Sequence, residues 1–231
     1  MKKTEKKLIT HFLFVTFCWV LMLGCKNDSA LTEVPKKLKD IDGNAYKIVK
    51  IGNQVWMAEN LKTTRLNDGT PIPLVPQKTD WSTRSTAGYC WYNNDQPTAD
   101  TYGALYNWYT VQTNKLCPTG WHTPSAIEWS ELISYSGGAS TAGGKLKETG
   151  IAHWLSTDST ITDEFNFTAL PGGIRDTSGD FFGTGYLGGW WTATEDDFDL
   201  AKYQLMRNVF SNVFNYSNLK QSGVSVRCLK D

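Results

Sequence analysis

The densest group of side chains that could do chemistry is an acidic run of Glu195, Asp196, Asp197 and Asp199. Paired carboxylates in a cleft would allow glycoside hydrolysis, and an oxygen-rich loop would suit calcium. The spacing matches no defined calcium loop, and runs of this kind are more often solvated loops or sheet edges. We therefore expect no cofactor and no bound metal, with calcium as the alternative.

Histidine and cysteine are scarce beyond the first 24 residues. His122 and His153 are too few for a histidine metal cage, and no cysteine spacing typical of zinc occurs. The cysteines of this part are Cys25, Cys90, Cys117 and Cys228. With Cys25 set aside for the reason given below, three thiols allow one disulfide and one free cysteine, or three reduced thiols.

Tryptophans are the candidate binding residues. Trp190 and Trp191 follow two glycines, and in a strand their rings would face opposite sides. One ring should enter the core, while the other could stack on a sugar face or contact a protein. The expected binding surface lies between residues 151 and 195 and is formed by Trp154, Trp190, Trp191 and Glu195. The alternative is that these rings are structural.

The N-terminal residues have the pattern of an export signal. Lysines among residues 2–7 precede an apolar stretch at 8–23, shorter than the roughly 20 residues that span a bilayer. Gly24 and Cys25 follow and resemble the lipobox of bacterial lipoproteins, whose cysteine receives lipid such as palmitate. This predicts a signal peptide at 1–24, a lipidated Cys25 and a tether up to residue 39. The alternative is ordinary cleavage with an incidental cysteine.

The balance of charge excludes one class of partner. The 231 residues include 23 basic and 23 acidic side chains, and residues 25–231 retain 19 and 22, a net charge of −3. Nucleic-acid binders normally have a basic excess, so no nucleic acid is expected. A mildly acidic body is also not attracted to an anionic membrane. The membrane is therefore expected as a partner only through the lipid anchor.

The order of predicted elements indicates an α+β domain at 40–231 with an antiparallel sheet. The expected strands are 45–51, 54–58, 88–92, 190–194, 202–208 and 223–229. The expected helices are 103–112, one that begins at a capping box of Ser125 and Glu128, and 142–148. The region 153–189 is rich in glycine and is expected to be irregular.

Several sequence blocks together resemble the Fibrobacter succinogenes major paralogous domain, found mostly in exported lipoproteins of Bacteroidetes and Fibrobacteres. The block at 116–122 is Leu-Cys-Pro-Thr-Gly-Trp-His, and the block at 225–228 is Ser-Val-Arg-Cys. The remaining blocks are 40–46, 51–61, 102–108, 143–149, 168–173 and 191–195. The resemblance covers about residues 40–231.

That family resembles the formylglycine-generating sulfatase-modifying enzymes, which share the C-type lectin-like fold. The resemblance implies a small antiparallel sheet, two main helices and a long irregular loop region. It also implies a long-range disulfide between Cys117 and Cys228, which would leave Cys90 as a buried free thiol. The sugar-binding calcium motifs of C-type lectins do not occur in the expected places.

These observations lead to one functional hypothesis and two alternatives. The hypothesis is a lipid-anchored, non-enzymatic module in the cell envelope, at the outer membrane or cell surface, that binds a glycan or a surface protein. One alternative is an enzyme that acts on polysaccharide or sulfated substrates. The other is a structural component of an envelope or fimbrial assembly.

Overall fold

The computed structural model describes residues 37–156 and 160–231. The expected signal peptide, Cys25 and most of the expected tether lie outside these residues. Within them, no helix has both the length and the apolar character needed to cross a membrane. Antiparallel strands predominate over short helices, which confirms the α+β class.

The described residues form twelve strands. They are β1 (Lys37–Lys39), β2 (Ala45–Ile51), β3 (Gln54–Met57), β4 (Tyr89–Cys90), β5 (Leu105–Tyr106), β6 (Trp121–His122), β7 (Gly172–Arg175), β8 (Phe181–Thr184), β9 (Leu187–Glu195), β10 (Leu200–Arg207), β11 (Val213–Leu219) and β12 (Leu229–Lys230). One sheet has the order β1-β2-β3-β12-β6 and another the order β11-β10-β9. β4 pairs with β5, and β7 pairs with β8.

Helices are few and short in this part of the chain. They are α1 (Lys78–Ser82), α2 (Ala99–Tyr102), α3 (Trp108–Val111), α4 (Ala126–Tyr135) and α5 (Ala142–Leu146). Of these five, α4 alone is longer than five residues. The expectation of two main helices is therefore wrong for the described residues.

The helix expected at 103–112 is shorter because its first half is a strand. Gly103 follows α2 with a φ of 74°, and the next residues form β5, which pairs with β4. The side chain of Asn107 then accepts a hydrogen bond from the backbone N–H of Thr110 and caps α3. The apolar residues here have helical spacing, but they belong to a buried strand, β5, followed by the single helical turn of α3.

α4 begins where the sequence predicts. Ser125 Oγ accepts a hydrogen bond from Glu128 N at 3.2 Å, and Glu128 Oε2 accepts one from Ser125 N at 2.8 Å. This capping box satisfies backbone donors that the first turn of a helix leaves free. The predicted stripe of Trp129, Leu132 and Ile133 is buried.

His122 connects the start of α4 with the end of the chain. Its Nε2 lies 3.0 Å from Glu128 Oε1, and its Nδ1 lies 2.6 Å from Asp231 Oδ1. Partial burial opposes the charged form, but the two carboxylates outweigh it and raise the pKa of His122. The ring thus joins β6, α4 and the residue after β12.

The C-terminal segment lies in the middle of the fold, because β12 sits between β3 and β6. Just before β12, Val224 bridges to Tyr106 and Ser225 bridges to Trp190. The strand predicted at 223–229 is consequently shorter than expected. Its residues pair with several segments in turn instead of with one neighbouring strand.

Six of the described strands form where the sequence predicts none, namely β1, β5, β6, β7, β8 and β11. β7 and β8 make a hairpin inside the region expected to be irregular, although β7 contains two glycines. β11 pairs with β10 along its full length, and most of its side chains face outward. The β7–β8 hairpin lacks the alternation of apolar and polar residues on which strand prediction depends.

A disulfide joins Cys117 and Cys228, whose Cα atoms lie 5.9 Å apart. It ties the segment before α4 to the residue before β12 across a separation of 111 positions. Both cysteines are buried. Cys90 is a buried free cysteine, and burial raises the pKa of its thiol to about 12. The pairing implied by the family resemblance is present.

Cationic side chains are buried at several points of the described chain: Lys147, Arg175, Lys220 and Arg227. Each donates to loop carbonyls and lies over an aromatic ring. Arg175, for example, donates to the carbonyls of Val75 and Gly179 and lies 4.5 Å from the centre of the Trp81 ring. Such bonds compensate the desolvation of a buried charge and fix loops that have no regular structure.

Candidate binding cleft

The tryptophans expected to bind a ligand lie in the core. Trp154, Trp190 and Trp191 each have an exposed fraction of 0%. Their indole N–H groups donate to the carbonyl of Ala169, to Asn60 Oδ1 and to the carbonyl of Tyr106, respectively. The expectation of an exposed ring is wrong, because packed aromatic residues and loops cover both faces of β9.

Glu195 and the acidic run form the turn between β9 and β10. Glu195 is ion-paired with Lys220, and Asp196 Oδ1 lies 3.1 Å from Lys202 Nζ. Asp197 Oδ1 accepts hydrogen bonds from the backbone N–H groups of Asp199 and Leu200. These carboxylates therefore stabilise a turn. Among the described residues, no group of three or more His, Cys, Asp or Glu is placed to hold a metal.

Asn60 and Arg227 form a buried pair beneath a surface cleft. Arg227 Nε donates to Asn60 Oδ1 at 2.8 Å, and its Nη2 donates to the carbonyl of Thr168 at 2.8 Å. The Nη1 group donates to the carbonyl of Phe167, whose ring lies under the guanidinium. Burial lowers the pKa of Arg227 to about 9. The pair joins three segments that are distant in the sequence.

The loop at 163–168 has a strained backbone and lies against this pair. Asp163, Asn166 and Thr168 have φ values of 45°, 54° and 51°, a region that non-glycine residues rarely adopt. Asp163 holds the loop by accepting hydrogen bonds from Thr168 N and Oγ1, both at 2.8 Å. Strain of this kind persists only where the surroundings fix it, and it is common at functional sites.

The cleft lies between β2 and this loop and has a volume of about 680 Å³. Its floor includes Asn60, and α2 contributes Asp100 and Thr101. Other polar residues of its lining are Lys47, Glu59, Lys62, His153, Asn166 and Thr168. The buried Arg227 thus fixes the backbone that presents two of the lining side chains.

A second cleft of about 590 Å³ continues from the first. The two share Lys62, Ala99 and Asp100. Lys62 Nζ lies 3.1 Å from Asp100 Oδ1, so an ion pair marks the junction. The two adjacent clefts are together called the groove.

The groups in the first cleft can bind hydroxyl groups. Amide, hydroxyl and carboxylate side chains offer both donors and acceptors at its walls. Glu59 Oε2 accepts a hydrogen bond from Lys47 N at 2.7 Å, and His153 Nδ1 lies 2.8 Å from Glu148 Oε2. These partners hold the side chains in place, and fixed polar groups of this kind orient a ligand.

Sequence reasoning missed these cleft residues because they come from separate segments. Asn60, Thr168 and Arg227 each belong to a different block of the resemblance described above. The presence of each residue in one of these blocks was the available signal. The cleft, unlike the expected tryptophan surface, is open to solvent.

Sequence reasoning also missed an aromatic row at β11, formed by Phe214 and Tyr216 of the strand and by Phe210, which precedes it. The rings of Phe214 and Tyr216 are parallel within 3°, with centres 5.7 Å apart, and Phe210 lies 6.0 Å from Phe214. Phe210 and Tyr216 are exposed, and β11 is at an edge of its sheet. The spacing of two residues between Phe214 and Tyr216 is the signal that could have revealed it.

The fold and cleft define an α+β domain with a polar groove over a buried arginine. Residues 49–230 match the Fibrobacter succinogenes major domain, and the chain belongs to that family. Comparisons with curated proteins and with solved structures gave no match. The family description states no activity, so function must be argued from the groove.

Proposed function

We propose that the protein is a lipid-anchored module outside the cytoplasm that binds a glycan in this groove without catalysis. The observation that supports it most is the polar cleft whose walls are fixed by Arg227, Asn60 and the strained loop. Preorganised hydrogen-bonding groups favour binding because little conformational freedom is lost when the ligand arrives.

The state of the cysteines supports a non-enzymatic role. Chemistry like that of the formylglycine-generating enzymes requires two nearby reactive cysteines. Cys117 and Cys228 are joined to each other, and Cys90 is buried with a raised thiol pKa. Reactive thiols instead need exposure and a lowered pKa.

The carboxylates of the cleft also support a non-enzymatic role. Asp100 is paired with Lys62, and Glu59 accepts a backbone hydrogen bond. Glycoside hydrolysis requires one carboxyl that stays protonated to donate a proton. Both carboxylates of the cleft thus already have partners within the protein.

A C-type lectin-like arrangement is part of the proposal. The disulfide ties the end of the chain to the approach to α4, and the sheets are small, antiparallel and connected by long loops. The proposed kinship with sulfatase-modifying enzymes rests on the same features and on the sequence blocks.

The binding test uses the detergent-solubilised protein on a glycan array. Asn166→Gly removes a cleft amide and keeps a residue that tolerates positive φ, so binding should weaken about 2- to 10-fold, as expected for one hydrogen bond. Asn114→Gly is the control, because Asn114 also has a positive φ of 56° and is absent from the cleft lining. A blank array, or equal binding by both variants, would contradict the proposal.

The anchor is tested separately by Cys25→Ala. We expect this variant to take up no labelled palmitate and to leave the membrane fraction, because acyl chains contribute about 0.8 kcal/mol per buried methylene. Cys18→Ala is a matched control within the apolar stretch and should behave like the wild type. Palmitate on the Cys25→Ala protein would rule out the lipobox assignment.

The β11 aromatic row favours a second candidate, a structural component of an envelope or fimbrial assembly. An edge strand with exposed rings offers both backbone groups and apolar surface to another protein. A blank glycan array would shift the proposal towards this role.

A further inference from the structure

One side of the groove is bordered by an unusual concentration of lysines. Lys37 is opposite Lys47, and Lys39 is opposite Ala45, in the antiparallel pairing of β1 with β2. Directly paired and alternate residues share one face of a sheet. Ala45 and Lys47 line the cleft, so the three lysines form one basic face at its border.

The amino groups of this basic face are uncompensated. In residues 37–156 and 160–231, no ion pair or hydrogen bond involves the side-chain nitrogen of Lys37, Lys39 or Lys47. All three side chains are exposed. Because Lys37 and Lys47 are direct cross-strand partners, their like charges repel each other and weaken the pairing.

The acidic groups nearby are already engaged. Asp100 is paired with Lys62, and Glu148 is paired with His153. Glu59 accepts from the backbone of Lys47, and Asp40 accepts from Tyr46 and from the turn after β1. Hydrogen bonds from neutral donors do not cancel the formal charges of Glu59 and Asp40. The three lysines outnumber these two carboxylates, so a small positive excess remains at this border of a protein whose residues 25–231 have a net charge of −3.

We infer that the groove takes an acidic glycan, a polysaccharide with carboxylate or sulfate groups, whose charges are met by Lys37, Lys39 and Lys47. This inference rests on the proposed glycan-binding function. Hydroxyl groups of the sugar would contact the polar walls, and its anionic groups would contact the basic face. The three lysines precede residue 49, where the family match begins, so the charge preference belongs to this chain and is not part of the family match.

The test compares two ligands with the same backbone, polygalacturonate and its methyl ester, on the detergent-solubilised protein. The wild type should bind polygalacturonate about tenfold tighter, as expected for a few exposed ion pairs, and the preference should vanish at high salt. The Lys37→Gln/Lys39→Gln/Lys47→Gln variant should lose the preference. The control variant is Lys50→Gln/Lys115→Gln/Lys230→Gln. It changes the net charge by the same amount and should keep the preference for polygalacturonate.

Three other outcomes would overturn either the acidic preference or the proposed function. Equal binding of both glycans, unchanged in the first triple variant, would overturn the acidic preference and leave glycan binding intact. Failure of every glycan on the array would instead overturn the proposed function. The Cys25→Ala protein could instead sediment with phosphatidylglycerol vesicles through these lysines and show no preference between the two glycans. That result would assign the basic face to the membrane and overturn the inference.

Discussion

Replacing Cys117 and Cys228 together with alanine should lower the free energy of unfolding by about 4–5 kcal/mol, an upper value from the loop-entropy model. The disulfide closes a loop with a separation of 111 residues, so its loss mainly frees the unfolded chain. Both cysteines are buried, and alanine fills less of their space. Urea denaturation under non-reducing conditions measures the change.

Cys90→Ala is the control for this double variant. Cys90 is also buried but forms no bridge, so its loss should lower the free energy of unfolding by only about 1 kcal/mol. Equal stability of the double variant and the Cys90→Ala protein would show that the disulfide contributes little.

Trp191→Ala and Trp154→Ala should each lower the free energy of unfolding by about 3–5 kcal/mol. Both rings are fully buried, and each variant would also lose the hydrogen bond that the indole donates to a backbone carbonyl. The melting temperature should fall by about 10 °C for a domain of this size. Thermal unfolding followed by circular dichroism measures it.

Phe198→Ala is the control for the tryptophan variants. Phe198 is 89% exposed, and its removal should change the free energy of unfolding by less than about 0.5 kcal/mol. A Trp191→Ala protein as stable as the Phe198→Ala protein, but with weakened glycan binding, would return this ring to the ligand surface.

Local signals in the sequence predicted the elements that are locally determined. The turn residues Gly52 and Asn53 join β2 and β3 as expected, and the capping box of Ser125 and Glu128 begins α4. The strand predicted at 190–194 lies within β9. The strand pattern could not reveal what covers each face, because the cover is supplied by distant residues, such as Trp129 against the Trp190 ring.

The candidate site was less predictable than the fold. Asn60, Thr168 and Arg227 come together through hydrogen bonds that span 59 to 167 positions. Periodicity reports only neighbours along one element, so it cannot identify such a group. A buried arginine is also unexpected from composition, because charged residues are rarely buried without compensation.

The central position of β12 has a consequence for how the protein is made. The sheet β1-β2-β3-β12-β6 lacks an inner strand until the last residues of the chain arrive, and Arg227 and Cys228 arrive with them. Domains that can fold during synthesis do so from the N-terminus, but here the early strands have no complete sheet to join. This sheet is therefore expected to be completed only once residues 227–230 have been made.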